Sequence, residues 1–191
     1  MNEAAPLTAF LDASVLYSAP IRDFLMHLAV RGLYRARWSD RVQEEWIAAL
    51  LRNRRDLTVA QLHRTRRLME RHVNDALVGG YEPILDHLTL PDSNDCHVLA
   101  AAIHGGANFI ITINLRDFPD EILKHYGIAP LHPDAFISRL LAERPDGVVS
   151  AFHGLHRNLQ DPPLSVNELL TGFARIGLIE TDAELRRLMA N

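Results

Sequence analysis

Cysteine is all but missing from this chain: Cys96 is the single one among 191 residues, so no disulfide framework can form and no thiolate-based zinc site can be built. A reducing, cytoplasmic setting is the expectation. Lysine is equally scarce, because Lys124 is the one lysine among 20 basic residues and the other 19 are arginines. Long apolar runs are missing too. None approaches the roughly 18 residues that a membrane span needs, and Met1 to Thr8 lacks a basic stretch followed by a long apolar one. Neither secretion nor membrane insertion is expected.

What the chain has is enough apolar content, 48% of its residues, to bury one sizeable core. Its formal net charge of −4 hides a strong segregation of charge. Between positions 31 and 72, eleven arginines face five acids, a local balance of +6 that leaves −10 for the remainder. Arginine in such excess suits bidentate contact with phosphate. A solvated helical face laced with salt bridges explains the same run equally well.

Strand and helix patterns alternate along the first three quarters of the chain. Leu7 to Leu11 is a short apolar run ending at Asp12, as expected of a buried strand that delivers a carboxylate. Pro20 suits the first turn of a helix that ends at Gly32. Ser39 caps a second helix with a Val42, Trp46, Ala49 and Leu50 stripe, and Thr58 with Gln61 makes a capping box for a third, arginine-rich one. After an irregular stretch to Pro91, an alanine-rich helix runs from Asp92 to His104. Asn108 to Ile113 (NFIITI) reads as a strand, Asn114 to Asp117 as a turn, Asp120 to His125 as a short helix, Ile128 to Leu131 as a strand and Pro133 to Leu141 as a helix. Apolar strands buried on both faces and separated by helices imply a parallel sheet in an α/β sandwich. Arg144 to Gly147 marks a boundary between a domain at 1–143 and a helical C-terminal extension at 144–191. Capping boxes are expected there at Ser165/Glu168 and Thr181/Glu184, with a stop at Gly177. That extension is a candidate clasp, homodimer surface or partner site.

In an open parallel sheet, ligands bind beyond the carboxyl ends of the strands. Asp12 and Asp117 sit at such ends, and Asp92 and Asp95 fall in the first turn of the alanine-rich helix, where capping alone would explain one of them. Several carboxylates brought together repel one another unless a hard divalent cation such as Mg2+ or Mn2+ joins them. Nothing resembling a nucleophile elbow or a Cys/His pair competes with that chemistry. The ten histidines, His97 and His104 among them, read as surface or core residues rather than ligands.

Four blocks carry a family resemblance: LDASVLYS at 11–18, SDRVQEEW at 39–46, LPDSNDCHVLAAAI at 90–103 and ITINLRDFP at 111–119. Together they resemble the PIN-domain nucleases, and within them the bacterial toxins of the VapC type. The resemblance covers roughly residues 7 to 142. It implies a PIN-like α/β/α sandwich and Mg2+- or Mn2+-dependent cleavage of RNA, in the toxin branch under the control of a cognate antitoxin. Carried over by position, it implies catalytic, metal-holding acids at Asp12, Glu45, Asp95 and Asp117, with Asp92 an accessory ligand or a cap. Ser14 would hold the site, Thr112 and Asn114 would orient ligands or contact phosphate, and Arg116 is a candidate phosphate contact in the same turn. The arginine-rich helix, if it borders the acids, would guide RNA toward them. The competing expectation is a PIN-fold module that binds RNA or protein without cutting. A phosphatase using Asp12 as nucleophile is disfavoured because position 14 is Ser.

Overall fold

The structure, a computed structural model, describes residues 7–159 and 162–190. Met1 to Pro6, read above as carrying no leader, lie outside the described residues. Five strands form one sheet in the order β3-β2-β1-β4-β5, and every neighbouring pair is parallel. They are β1 (Thr8–Leu11), β2 (Arg35–Ser39), β3 (Leu77–Val78), β4 (Phe109–Ile111) and β5 (Ala129–Leu131). Helices flank the sheet, so the parallel α/β sandwich expected from the apolar runs is what forms. The chain leaves β1 toward β2 on one side and returns to β4 on the other. Strand order therefore reverses between β1 and β4, where loops at the carboxyl ends part and leave a crevice.

Two strands were not anticipated. In β2, only Ala36 and Trp38 supply the buried half of the alternation, while Arg35 and Arg37 hide it, and β3 is just two residues long. Ser39 ends β2 and caps α3 (Asp40–Asn53) by accepting from the Val42 amide at 3.3 Å, so one residue closes a strand and opens the helix that carries Glu45. The Thr58/Gln61 capping box starts α4 (Val59–His72) as its spacing suggests. Upstream, Asp12 caps α1 (Ala13–Tyr17), and α2 (Ala19–Val30) follows directly. The stretch before Pro91 contains a single helical turn, α5 (Glu82–Leu85). The alanine-rich helix divides into a 3₁₀ turn (Ser93–Asp95) and α6 (Cys96–His104). A second 3₁₀ turn (Leu115–Asp117) precedes α7 (Asp120–Leu123).

Four helices complete the chain: α8 (Pro133–Glu143), α9 (Pro145–Asn158), α10 (Val166–Arg175) and α11 (Ile179–Met189). They share the hydrophobic core of the sheet domain. Phe24 of α2 meets Phe152 of α9 edge-on at 6.2 Å and stacks on Phe173 of α10 at 5.1 Å, so three rings tie the extension to the second helix. The Ser165/Glu168 capping box forms. The Thr181/Glu184 box does not, because α11 begins at Ile179 and the Thr181 hydroxyl donates instead to Asp134 of α8 at 2.7 Å. Asp134 also accepts the Glu180 amide at 3.0 Å and the Thr181 amide at 2.9 Å, which makes it a buried cap supplied to α11 by another helix. Among the described residues no helix is long and apolar enough to cross a membrane.

Removing that cap is expected to loosen the extension. Asp134→Ala should lower unfolding free energy by about 2–3 kcal/mol, since it deletes charge-assisted bonds and strands buried donors, and Asp134→Asn should cost less. Urea midpoints of the two variants check this, and equal midpoints for Asp134→Ala and the parent chain would contradict it.

Candidate active site

The first strand is buried along its whole length and ends where the sheet stops, which delivers the carboxylate of Asp12 to the crevice between β1 and β4. Its two oxygens are held by donors in fixed positions. Oδ1 accepts the Ala13 amide at 2.7 Å, and Oδ2 accepts the Ser14 hydroxyl at 2.6 Å and the Thr112 hydroxyl at 2.9 Å. Each hydroxyl accepts in turn from the chain after β4: Ser14 Oγ from the Ile113 amide at 3.1 Å, and Thr112 Oγ1 from the Asn114 amide at 3.0 Å. These bonds stitch the ends of two neighbouring strands through one carboxylate. Thr112 is wholly buried, so its hydroxyl serves to orient Asp12 from behind.

Glu45 projects from α3 into the same cleft. His97 Nε2 donates to its Oε1 at 2.9 Å and Arg41 Nε donates to the same oxygen at 3.2 Å. Burial alone would raise the Glu45 carboxyl, but His97 and then Arg41 outweigh it and hold the group below the ordinary glutamate range. Asp95 lies at the junction of the 3₁₀ turn and α6 and has no such counter-ion of its own. Its carboxyl is pushed up to about 6, first by burial and then by the charges of Asp12, Asp92 and Asp117, with His97 pulling the other way.

Asp12, Ser14, Glu45, Asp95 and Asn114 line one cleft of about 430 Å³, within the usual size of a ligand site. Arg116 and Asp117 line a neighbouring lobe that shares Ile113 and Asn114 with it. Asp92 stands outside both lobes, exposed, and its carboxylate caps the 3₁₀ turn by accepting the Asn94 amide at 2.9 Å. Among the described residues, no group of three or more carboxyl, imidazole or thiol side chains is arranged to hold a metal ion as it stands. The donor chemistry nevertheless fits a hard divalent cation: every facing ligand is a carboxylate oxygen, and the repulsion felt at Asp95 is of the kind a cation relieves.

Three neighbours of the acids escaped the sequence reading. His97 is a fully buried partner of Glu45, recognisable only as one more histidine in an apolar helix. Arg52 and Tyr17 line the cleft from α3 and α1. Conversely, none of the arginines of α4 lines it. That helix instead walls a separate apolar cleft with α2 and α9, and its Arg66 is engaged by Asp40 and Glu70.

Fold and site together define an α/β protein that gathers acids at the carboxyl edge of a parallel sheet. The chain belongs to the PIN-domain family, whose profile matches residues 8–116, more than half of its length. A second family, described as the VapC50 C-terminal domain, matches residues 133–187. One curated relative is named "Putative ribonuclease VapC50", from Mycobacterium tuberculosis (strain ATCC 25618 / H37Rv). It is 41% identical over 76 residues, which span 40% of this chain and 45% of that relative. No solved structure matches.

Two outcomes follow from this geometry. Thr112→Val should cost about 1–3 kcal/mol, because it leaves the Asn114 amide and one Asp12 lone pair without their buried partner, and an unchanged urea midpoint would show that the hydroxyl holds nothing. For Asp95 the folded-state value lies above the ordinary one, so its stabilising contribution is complete below about 4 and is lost as pH rises through about 6. Asp95→Asn should therefore stabilise the metal-free protein at pH 7.5 by about 1–2 kcal/mol, discounted because half the group faces water, and by nearly nothing at pH 4. A gain of equal size at both pH values would rule out this electrostatic origin.

Proposed function

We propose that this protein is a divalent-cation-dependent endoribonuclease and the toxin of a toxin and antitoxin pair, acting in the cytoplasm. The observation that carries the reading is the placement of Asp12, Glu45 and Asp95, from three separate elements, on one cleft, with Asp117 close enough to raise Asp95. These four would hold Mg2+ or Mn2+, and Asp92 is near enough to serve as an accessory group. When bound, such an ion supplies an activated water and neutralises charge on the scissile phosphate.

The chain's own residues supply position. Ser14 and Thr112 fix the Asp12 oxygens, and His97 and Arg41 keep Glu45 ionised at neutral pH. Asn114 stands between the two lobes, placed to contact substrate, and Arg116 extends the second lobe with an exposed guanidinium suited to phosphate. The relative whose name includes ribonuclease VapC50 supports the choice of RNA and of an antitoxin as partner. In this reading residues 1–143 are the nuclease unit and 144–191 an extension clasped to it through α2 and α8.

One observation favours a second reading, a PIN-fold module that binds RNA or protein without cutting: among the described residues no three ligands are gathered as they stand. The two readings separate in a single set of measurements. The nuclease should cut single-stranded RNA with Mg2+ or Mn2+, lose that activity in EDTA, and gain thermal stability on Mn2+ titration. Asp12→Asn and Asp95→Asn should each abolish cutting while leaving the fold intact by circular dichroism. Cutting that survives in both variants would reject the assignment of these acids, and a Tm indifferent to Mn2+ in a protein that cuts nothing would favour the binding module.

A further inference from the structure

Beyond the acids, the cleft continues along α3 to a residue that the chemistry above does not use. Glu45, Ala49 and Arg52 fall at positions i, i+4 and i+7 of α3, so they share one face, and all three line the cleft. At the rise of an α-helix, Arg52 lies about 10 Å along the axis from Glu45. Tyr17 at the end of α1 lines the same cleft, and its hydroxyl accepts from Asn53 Nδ2 at 3.3 Å.

Arg52 differs from the other arginines around it. Arg41, Arg54 and Arg66 are each held by acids, whereas Arg52 is exposed and no hydrogen bond or ion pair among the described residues engages it. Among the described residues it is also the single cation lining a cleft that otherwise presents Asp12, Glu45 and Asp95. An unpaired guanidinium has no structural duty there. Standing beside three carboxylates without bonding to any, it offers a forked donor set to an anion entering from outside.

We propose that Arg52 and Tyr17 form a subsite for the nucleotide next to the cleavage point on single-stranded RNA. The Arg52 guanidinium takes the neighbouring phosphate, and the Tyr17 ring gives the attached base a face to stack on. The inference rests on the nuclease reading, because that reading places the scissile phosphate at the acids. It adds a direction: the strand leaves the acids along α3 toward its C-terminal end.

The test uses the full-length chain and a fluorescein-labelled RNA octamer, with fluorescence anisotropy read in the Asp95→Asn background so that binding is seen without cutting. Arg52→Gln should weaken binding about tenfold and flatten the dependence of log K on log salt by about 0.7, the loss of one phosphate contact to a single strand. Arg52→Lys should recover part of the affinity and all of the salt slope. Tyr17→Leu should also weaken binding about tenfold but leave the salt slope unchanged, as a stacking loss does.

In the otherwise unaltered enzyme, Arg52→Gln should raise KM for the octamer with kcat preserved, and should leave cleavage of a dinucleotide, too short to reach Arg52, unchanged. An octamer affinity and salt slope equal to the parent's would overturn the subsite while leaving the nuclease standing. Dinucleotide cleavage lost in the same proportion would also overturn it, since Arg52 would then act at the acids themselves. RNA held through Arg52 by a protein that never cuts would sink the nuclease reading and keep the contact. Arg52 is exposed, so an unchanged Tm shows that none of these effects comes from unfolding.

Discussion

Mutual repulsion among carboxylates at one edge of the sheet is the constraint around which this molecule is arranged. Each acid meets it differently. Asp12 is held by hydroxyl and amide donors, one of them Thr112 just after β4, and Glu45 is held by a buried histidine and an arginine on its own helix. Asp95 receives burial and three like charges with little in return, and its carboxyl is the one pushed up. The protein thus compensates two acids internally and leaves the third exposed to the field of its neighbours. A site whose residual charge is concentrated at a single half-buried carboxylate, beside others already fixed, is suited to a cation that completes the set.

Holding such an edge requires stiffness behind it. Asp12 can keep its position against repulsion because β1 is buried throughout and its end is tied to the chain after β4. Glu45 is set by α3, which starts from the residue that ends β2 and packs against α1. The C-terminal helices add to this from outside. By packing Phe152 and Phe173 on Phe24, and by docking α11 onto Asp134, they brace α2 and α8 without contributing any of the acids. A constellation of like charges tolerates little movement before its geometry is lost.

What could be read from the sequence divides along the range of the interactions involved. The Ser39 cap, the Thr58/Gln61 and Ser165/Glu168 boxes and the strand at β4 depend on residues within three or four positions of one another, and all of them form. Thr181/Glu184 has the same spacing and fails, because a carboxylate 47 positions away takes the threonine hydroxyl. Strand β2 was hidden by arginines whose burial pattern only the packed sheet reveals. His97 was legible as a histidine but not as a partner of Glu45, 52 positions earlier, because nothing local distinguishes it from a core residue. The acids themselves were legible jointly, through four blocks in order, more than from any one position.

The arginine-rich segment shows why charge counted along a chain is a poor guide to where charge acts. A balance of +6 between positions 31 and 72 pointed to the third helix as the RNA guide, since four of the eleven arginines fall there. Folding redistributes them. Arg41, Arg54 and Arg66 are spent on neighbouring acids, and none of the arginines of α4 reaches the cleft, so the cationic surplus is largely unavailable to a substrate seated at the acids. A polyanion approaching that cleft meets three carboxylates first. On the nuclease reading proposed above, its entry would depend on the guanidinium groups that line the two lobes and have no partner among the described residues, and on a cation held by the acids. Affinity should therefore be governed by a small number of placed contacts, while the remaining basic surface affects the rate of encounter.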